Sequence, residues 1–428
     1  MDENSFIDCH CHLFNIVDIP LYDTISGQLK MSTLEKFGIS LAALGAGAAV
    51  FSGFVNKKLE QTKNLIRFFE QDIIESVKWL ADDIRKAAPV VDSILVTPLI
   101  MDFDKVQTKA DLGKEPDVVD QLERLQDAIN EFHQDFDSAE APLIKFCPFM
   151  GLDMRKLHKN YSSTMDKLME IWDTHGIRNS DRQNGIGGLA SGKLLGIKLY
   201  PPIKFNPYAK SGNRKTAYKV FYKWCSENQI PITVHCQPGS YSTGRDSQKI
   251  RNLTHSRNWV KVIKDYKLKN LRINFAHFGG ESEMEEMLDS WRFSGVEKDT
   301  WTYLLIKLLK GYENTYADIS AFDYSVKRNR QNLINILEKD EAGEFEDLGM
   351  GPNKLKDKLM WGSDVPMIIA DDTFRKDLSP KKDLGYRYYF GHFKQTINSA
   401  KKLEEADKTE LIEKITSTNP KKFLNIES

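Results

Sequence analysis

Four side chains able to bind a divalent ion stand in consecutive positions near the start of the chain: Cys9, His10, Cys11 and His12, within "FIDCHCHLF". Along an extended strand, successive side chains point to opposite faces, so a strand here presents one pair to a site and hides the other. Further candidates follow at long intervals: Lys198 in "GIKLYPP", His235 in "ITVHCQ", His277 in "INFAHFGG" and Asp364 in "MWGSD". Neutral imidazoles with a carboxylate form a ligand set for Zn²⁺ first, with Mn²⁺ or Fe²⁺ as alternatives. One or two such ions would lower the pKa of a water toward ~7 and polarise a C=O, which is the chemistry of ester, lactone or amide cleavage.

Side chains this far apart meet only if a repeated scaffold brings them together. The sequence carries eight short apolar runs: Phe6 to His12, Ser93 to Leu99, Leu143 to Met150, Leu194 to Tyr200, Ile230 to His235, Leu271 to His277, Asn314 to Ser320 and Leu359 to Asp364. Amphipathic stretches such as "DVVDQLERLQDAINEFHQDF" and "SRNWVKVIKDYK" separate them. Strand then helix, repeated eight times, predicts an α/β fold, the (β/α)8 TIM barrel. Each candidate lies at or near the C-terminal end of its run, where barrels of this kind build active sites. His10 and His12 are then expected to face the lumen, and Cys9 and Cys11 the surrounding helices. The same parity puts Asp8 and Asp318 in the lumen, with Asp8 expected to orient a histidine.

About eighty residues separate the first two runs, where a simple βα unit needs only ~30. The excess, at about 20–90, predicts a helical insertion after strand one, on the catalytic side of the barrel. It contains the uncharged stretch Ile39 to Val55, short for a membrane span and diluted by Gly, Ala and Ser. A buried or oligomer-facing helix is favoured there over membrane contact. Smaller insertions are expected at "NGIGGLASGK" and "EKDEAGEFEDLGMGPNK". No repeat or linker divides the chain, so residues 1–428 are expected to form one domain.

Composition narrows the function. With 41% apolar residues, 28% charged residues and a net charge of -1, the chain has no excess charge with which to grip nucleic acid or an anionic membrane. Its five cysteines, an odd number, suit reduced thiols in a cytoplasmic setting. No basic, apolar leader precedes His12. The expected partner is a small-molecule substrate, with a homo-oligomer left open.

Taken together, the H-x-H of strand one, Lys198, His235, His277 and Asp364 resemble the metal-dependent hydrolases of the amidohydrolase superfamily. "GIKLYPP", "AHFGG", "YADIS", "MWGSDVP" and the terminal "STNPKKFL" look like its amidohydrolase-related branch, which includes 2-pyrone-4,6-dicarboxylate lactonase and aminocarboxymuconate-semialdehyde decarboxylase. The resemblance runs from residue 6 to about 426, without the insertion. It implies His10, His12, Lys198, His235, His277 and Asp364 as metal ligands, and Asp364, His277 and His235 as catalytic groups. Lys198 is open between a carboxylated bridging ligand, an ammonium that grips a substrate carboxylate, and a core lysine paired with an acid. His277 is open between ligand and proton carrier. Hydrolysis is the first reading, non-oxidative decarboxylation of an unsaturated or aromatic acid the second, and an inactive barrel used as a scaffold the third.

Tyr200 and Arg245 are candidate substrate-binding residues, Arg245 and Arg251 standing in the polar segment "QPGSYSTGRDSQKIRNLTHSR" after strand five. His133, His158, His175, His255 and His392 are expected to be structural or solvated.

Overall fold

The computed structural model describes residues 4–15, 18, 68–103, 117–137, 142–159, 161–238, 247–293, 295–370 and 385–427. Among the described residues, nine strand segments follow one another: β1 (Ser5–Cys11), β2 (Ser93–Pro98), β3 (Leu143–Phe146), β4 (Phe149–Leu152), β5 (Gly196–Leu199), β6 (Ile232–His235), β7 (Ile273–Ala276), β8 (Thr315–Asp318) and β9 (Leu359–Met360). All pair in parallel and in chain order, β1-β2-β3 and β4 through β9.

The expected third strand is present but interrupted. Cys147 and Pro148 break it into β3 and β4, because proline has no N–H to give to a ladder. A parallel bridge from Leu99 to Phe149 carries β2 across the break, so β3 and β4 occupy one barrel position. The barrel closes where Cys9 N donates to Trp361 O (3.2 Å) and Asp364 N to His10 O (2.6 Å). This is a (β/α)8 barrel.

Alternation along the strands divides the core into two. Ile94, Val96, Ile197, Val234 and Phe275 join the layer between the wall and the helices. Ile7, Cys9, Leu95, Phe149, Tyr316 and Met360 form a second cluster inside the barrel, closed from its N-terminal end by Phe423 of the helix Asn419–Leu424. Phe423 lies 6.3 Å from the Phe149 ring and 5.8 Å from that of Tyr316. Burying a side chain of that size contributes about 1.5–3 kcal/mol. Buried Arg182 donates to Leu424 O (2.8 Å) and Leu195 O (3.2 Å), which latches this terminal helix to the wall.

Strict parity fails in β1. Cys9 belongs to the interior cluster and Cys11 to the outer one, so the two cysteines do not share a face. The β1–β2 register shifts between Asp8 and Cys11, and this bulge turns His10 inward directly after Cys9. Asp8 is accordingly not a lumen residue. Its carboxylate accepts a hydrogen bond from the hydroxyl of Tyr386 (3.0 Å), on the helix Tyr386–Asn398 outside the wall.

Of the expected insertion, 19–67 lies outside the described residues, and Ile39 to Val55 with it. Its end is helical: Ile73–Ala87 buries Val77, Leu80, Ala81 and Ile84. Just before that helix, Phe69 stacks on Phe14 at 5.1 Å, and the Phe14 ring is 5.5 Å from that of His12. The segment thus reaches the mouth of the barrel. Among the described residues, no helix is long and apolar enough to cross a membrane.

Candidate metal centre

The two histidines at the end of β1, His10 within it and His12 just after it, are fixed from behind through Nδ1. His10 Nδ1 stands 3.0 Å from Asp318 Oδ2 and 3.0 Å from Ser320 Oγ, and His12 Nδ1 donates to the Leu99 carbonyl at 2.8 Å. A carboxylate and a carbonyl can only accept, so both imidazoles carry their proton on Nδ1 and present a lone pair on Nε2. The two Nε2 atoms converge on one oxygen: each is 3.4 Å from Asp364 Oδ1. His10 Nε2 is buried and has no hydrogen-bond partner.

Charge follows the same plan. Burial holds the His10 imidazole down at about 4, with Lys198 adding to the effect and Asp318 and Asp364 opposing it, so the ring is neutral at pH 7. Burial alone would raise Asp364, but His10, His12 and His277 outweigh it and hold the carboxyl well below the usual carboxylate range. Asp318 is depressed in the same way, against burial, by His10, His277 and Ser320. The neutral His10 nitrogen, the His12 nitrogen and an ionised oxygen donor therefore face one point, with donor atoms within 4.8 Å of one another. An unpartnered buried nitrogen in such a set fits a divalent ion.

His10, His277 and Asp318 bring a second trio of donors within the same distance. Its oxygens are already engaged. Asp318 Oδ2 accepts from Asn274 Nδ2 (2.7 Å) as well as His10, and Oδ1 from His277 N (3.1 Å) and Ser320 N (3.2 Å). The Ser320 hydroxyl also donates to Asp318 Oδ1. This trio supports the first one from behind.

His277 and His235 form a pair. Since the Ser320 hydroxyl proton goes to Asp318, Ser320 Oγ accepts from His277 Nδ1 (3.0 Å). His277 Nε2 is then the acceptor for His235 Nδ1–H at 3.1 Å. The His277 ring lies 4.9 Å from that of His10, and Tyr200 meets the His235 ring edge-on at 5.0 Å. The backbone here is unusual: His277, Phe278, Gly279 and Gly280 all have positive φ (67°, 44°, 84°, 87°), as does Asp364 (59°). Left-handed non-glycine residues cost free energy and concentrate where side-chain direction matters.

Lys198 is 1% exposed and makes no hydrogen bond or ion pair with any described residue. Burial pulls its ammonium down to about 8, while Asp318, Asp364 and Cys9 pull the other way. Among the described residues, no carboxylate stands within ion-pair distance of its ammonium, and Asp318 and Asp364 act on it from further off.

The remaining candidates divide. Arg245 lies outside the described residues. Arg251 donates to Glu283 at 3.1 Å and lies 5.1 Å over the Trp301 ring. His255 is buried and stacked on Trp301 at 3.7 Å, a structural role. His133 sits between Asp137 Oδ2 and Ser191 Oγ, each at 2.8 Å, which imitates a Ser-His-Asp triad. Ser191 Oγ is taken by Phe146 N (2.9 Å) and Gly192 N is bonded to Phe146 O (2.7 Å), so neither amide is left for an oxyanion hole and the array ties the barrel wall together.

Sequence reasoning missed Ser320 and Asn274, although strand parity with Asp318 and Thr233 could have found them. It also missed Gly362. A Cβ there would lie 2.7 Å from His10 Cβ and 3.2 Å from Ser320 Cβ.

The fold and site thus define a (β/α)8 barrel with a His-x-His/Asp donor set at its C-terminal mouth. No family model matches the sequence, and no curated protein is similar to it. Solved structures are similar in fold over nearly the whole chain. A probable 2-pyrone-4,6-dicarboxylic acid hydrolase from Acinetobacter baumannii with citric acid bound is 11% identical, at TM-score 0.45, covering 98% of this chain and 99% of that one. An uncharacterized TIM-barrel protein from Bordetella bronchiseptica is 11% identical, at TM-score 0.47, covering 98% of each. The IDCase of Metarhizium anisopliae is 13% identical, at TM-score 0.46, covering 99% and 98%.

Proposed function

We propose that this protein is a metal-dependent hydrolase of a small carboxylate-bearing lactone, ester or amide. The observation that carries the reading is the convergence of His10 Nε2 and His12 Nε2 on Asp364 Oδ1, with His10 Nε2 left unpartnered in a buried site. His10, His12 and Asp364 would hold one divalent ion, zinc first by ligand chemistry, and the ion would supply Lewis acidity toward a water and a C=O. A count of one is favoured because Lys198 and His235 stand outside this trio.

Around that point the chain's own groups have separate roles. Ionised Asp364 accepts the proton of the attacking water and returns it to the leaving group. The Lys198 ammonium, without an ion-pair partner among the described residues, holds a carboxylate of the substrate, which supplies a close counter-charge. Tyr200 and Phe103, with rings 6.2 Å apart, form an apolar wall beside His235.

A second reading, decarboxylation of an unsaturated or aromatic acid, is supported by the His277–His235 hydrogen bond, since that pair can deliver a proton to carbon. Metal content per chain, followed by a screen of lactones, esters and unsaturated acids with parallel detection of acid and CO₂ release, tests both. The double variant His10→Ala, His12→Ala should fold with sharply reduced metal. Normal metal content in that variant would remove the site assignment. All five cysteines are buried thiols, which suits a reducing, cytoplasmic setting.

A further inference from the structure

The bulge in β1 alters the seam that closes the barrel. Bonds across it run from Cys9 N to Trp361 O, from Asp364 N to His10 O and from His12 N to Val365 O, at 3.2, 2.6 and 2.6 Å. Two N–H groups drop out of this run, those of His10 and Ser363. Both turn to a single carboxylate oxygen: Asp8 Oδ1 lies 3.1 Å from His10 N and 3.0 Å from Ser363 N. The other oxygen, Oδ2, accepts from Tyr386 OH (3.0 Å), and that hydroxyl accepts in turn from Trp361 Nε1 (2.7 Å). Asp8 is 0% exposed, so each of these donors depends on it with no water to take its place.

The consequence is geometric. One tethered amide belongs to His10, and the other immediately precedes Asp364, whose φ of 59° holds its carboxylate toward the lumen. Asp8 therefore pins, through the main chain, the separation of two proposed ligands that sit on opposite sides of the seam. A ligand set loses affinity when its members drift by a fraction of an ångström, which is why supporting hydrogen bonds around metal sites matter nearly as much as the ligands.

We infer that Asp8 is a positioning residue of the metal centre, acting as an acceptor that locks His10 and Asp364 into register across the β1–β9 seam, and that it is not itself a ligand. The inference rests on the metal reading of the site given above. It separates Asp8 from a ligand role because both of its oxygens are committed to donors in the wall and its outer helix.

The test is titration of metal-free protein with Co²⁺, reading affinity and the visible absorption of the bound ion, with thermal melts run alongside. Asp8→Ala should bind Co²⁺ ~10- to 100-fold more weakly and with a changed spectrum. Asp8→Asn, which keeps an acceptor oxygen in place, should stay within a few-fold of the parent. Parent-like affinity and spectrum in Asp8→Ala, even with a lowered melting temperature, would overturn the inference and leave a purely structural aspartate. Equal losses in the Asn and Ala variants would overturn it in favour of a ligand. If Asp8→Ala does not fold, Tyr386→Phe keeps the ring packing and removes only the donor to Oδ2; it should loosen Co²⁺ binding several-fold, and an unchanged affinity there counts against the inference. A parent protein that takes up no Co²⁺ removes the metal reading itself, a result distinct from parent uptake that Asp8→Ala leaves untouched.

Discussion

His10 Nδ1 lies 3.0 Å from Asp318 Oδ2, and this hydrogen bond decides which nitrogen of the imidazole is left for an ion. With the proton held on Nδ1, Nε2 can only accept, and it is the atom aimed at Asp364. Asp318 also receives Asn274, Ser320 and the His277 amide, so one buried carboxylate sets the protonation of the first histidine and the backbone of the second.

Asp318→Asn should therefore keep the fold and weaken metal binding by ~10- to 100-fold, measured by competition with a chelator. It should also change acid stability. The folded carboxyl is depressed below its ordinary ~3.9, so its contribution is present above that value and lost as pH falls below it. Metal-free Asp318→Asn should consequently lose less stability than the parent between about pH 4 and pH 2. A metal affinity equal to the parent's would show that Asp318 does not set the His10 tautomer.

Lys198 makes the opposite prediction about stability. Its pKa is lowered from 10.5 to about 8, so between those values the unfolded chain binds more protons and the folded state gains stability as pH rises. Below pH ~8 the buried charge costs about 3–4 kcal/mol at ~1.4 kcal/mol per pH unit. Lys198→Met should raise the melting temperature of the metal-free protein at pH 7, flatten its alkaline dependence, and abolish turnover of carboxylate-bearing substrates. One ion per chain, with or without bicarbonate, is expected of the parent; two ions with bicarbonate and one in the variant would make Lys198 a carboxylated bridge instead. A variant less stable than the parent at pH 7 would contradict a net cost of burying this ammonium.

The His277–His235 hydrogen bond predicts a division between binding and chemistry. Neither ring stands in the His10–His12–Asp364 trio, so His277→Gln should retain the ion and the KM while kcat falls by ~10²- to 10⁴-fold, the range of a lost proton carrier. Metal analysis and steady-state kinetics on one preparation separate the two. Loss of the ion in His277→Gln would make His277 a ligand and restore a wider metal site.

The barrel was readable from the sequence because each strand is a short apolar run and each chemical residue stands near its C-terminal end; Lys198, His235, His277 and Asp364 needed no more than that. What strand parity could not supply is the bulge at Cys9 and His10. A register shift depends on which amides the neighbouring strands offer, and here the deciding acceptor is a carboxylate anchored by Tyr386, 378 residues away along the chain. Parity therefore placed Asp8 in the lumen and Cys9 outside it, the reverse of what the folded wall requires. The role of Arg251 was hidden for a similar reason, since its partners Glu283 and Trp301 come from other elements. Asp318 and Ser320, two apart in "YADIS", follow alternation, and only their convergence on His10 needed the fold.

Gly362 tests whether close backbone approach, rather than conformational freedom, sets the site. Its φ is not in the left-handed region, so an alanine faces no backbone strain there. The obstacle is space: the added Cβ would stand 2.7 Å from His10 Cβ and 3.2 Å from Ser320 Cβ. Both neighbours are the stiff first atoms of side chains whose far ends are already hydrogen-bonded, so neither can swing aside and the strand itself must move. Overpacking of this kind costs about 1–3 kcal/mol, and here the displaced residue is a proposed ligand. Gly362→Ala should lower the melting temperature and weaken metal binding together. Gly391→Ala offers the contrast, because it lies in the helix Tyr386–Asn398 with nothing within 4 Å of its added Cβ, and should gain about 0.5–1 kcal/mol from helix propensity with metal affinity unchanged. If Gly362→Ala instead matches the parent in both melting temperature and metal affinity, the wall at His10 is more pliable than these contacts require, and the tight seam between β1 and β9 is not what places the ligand.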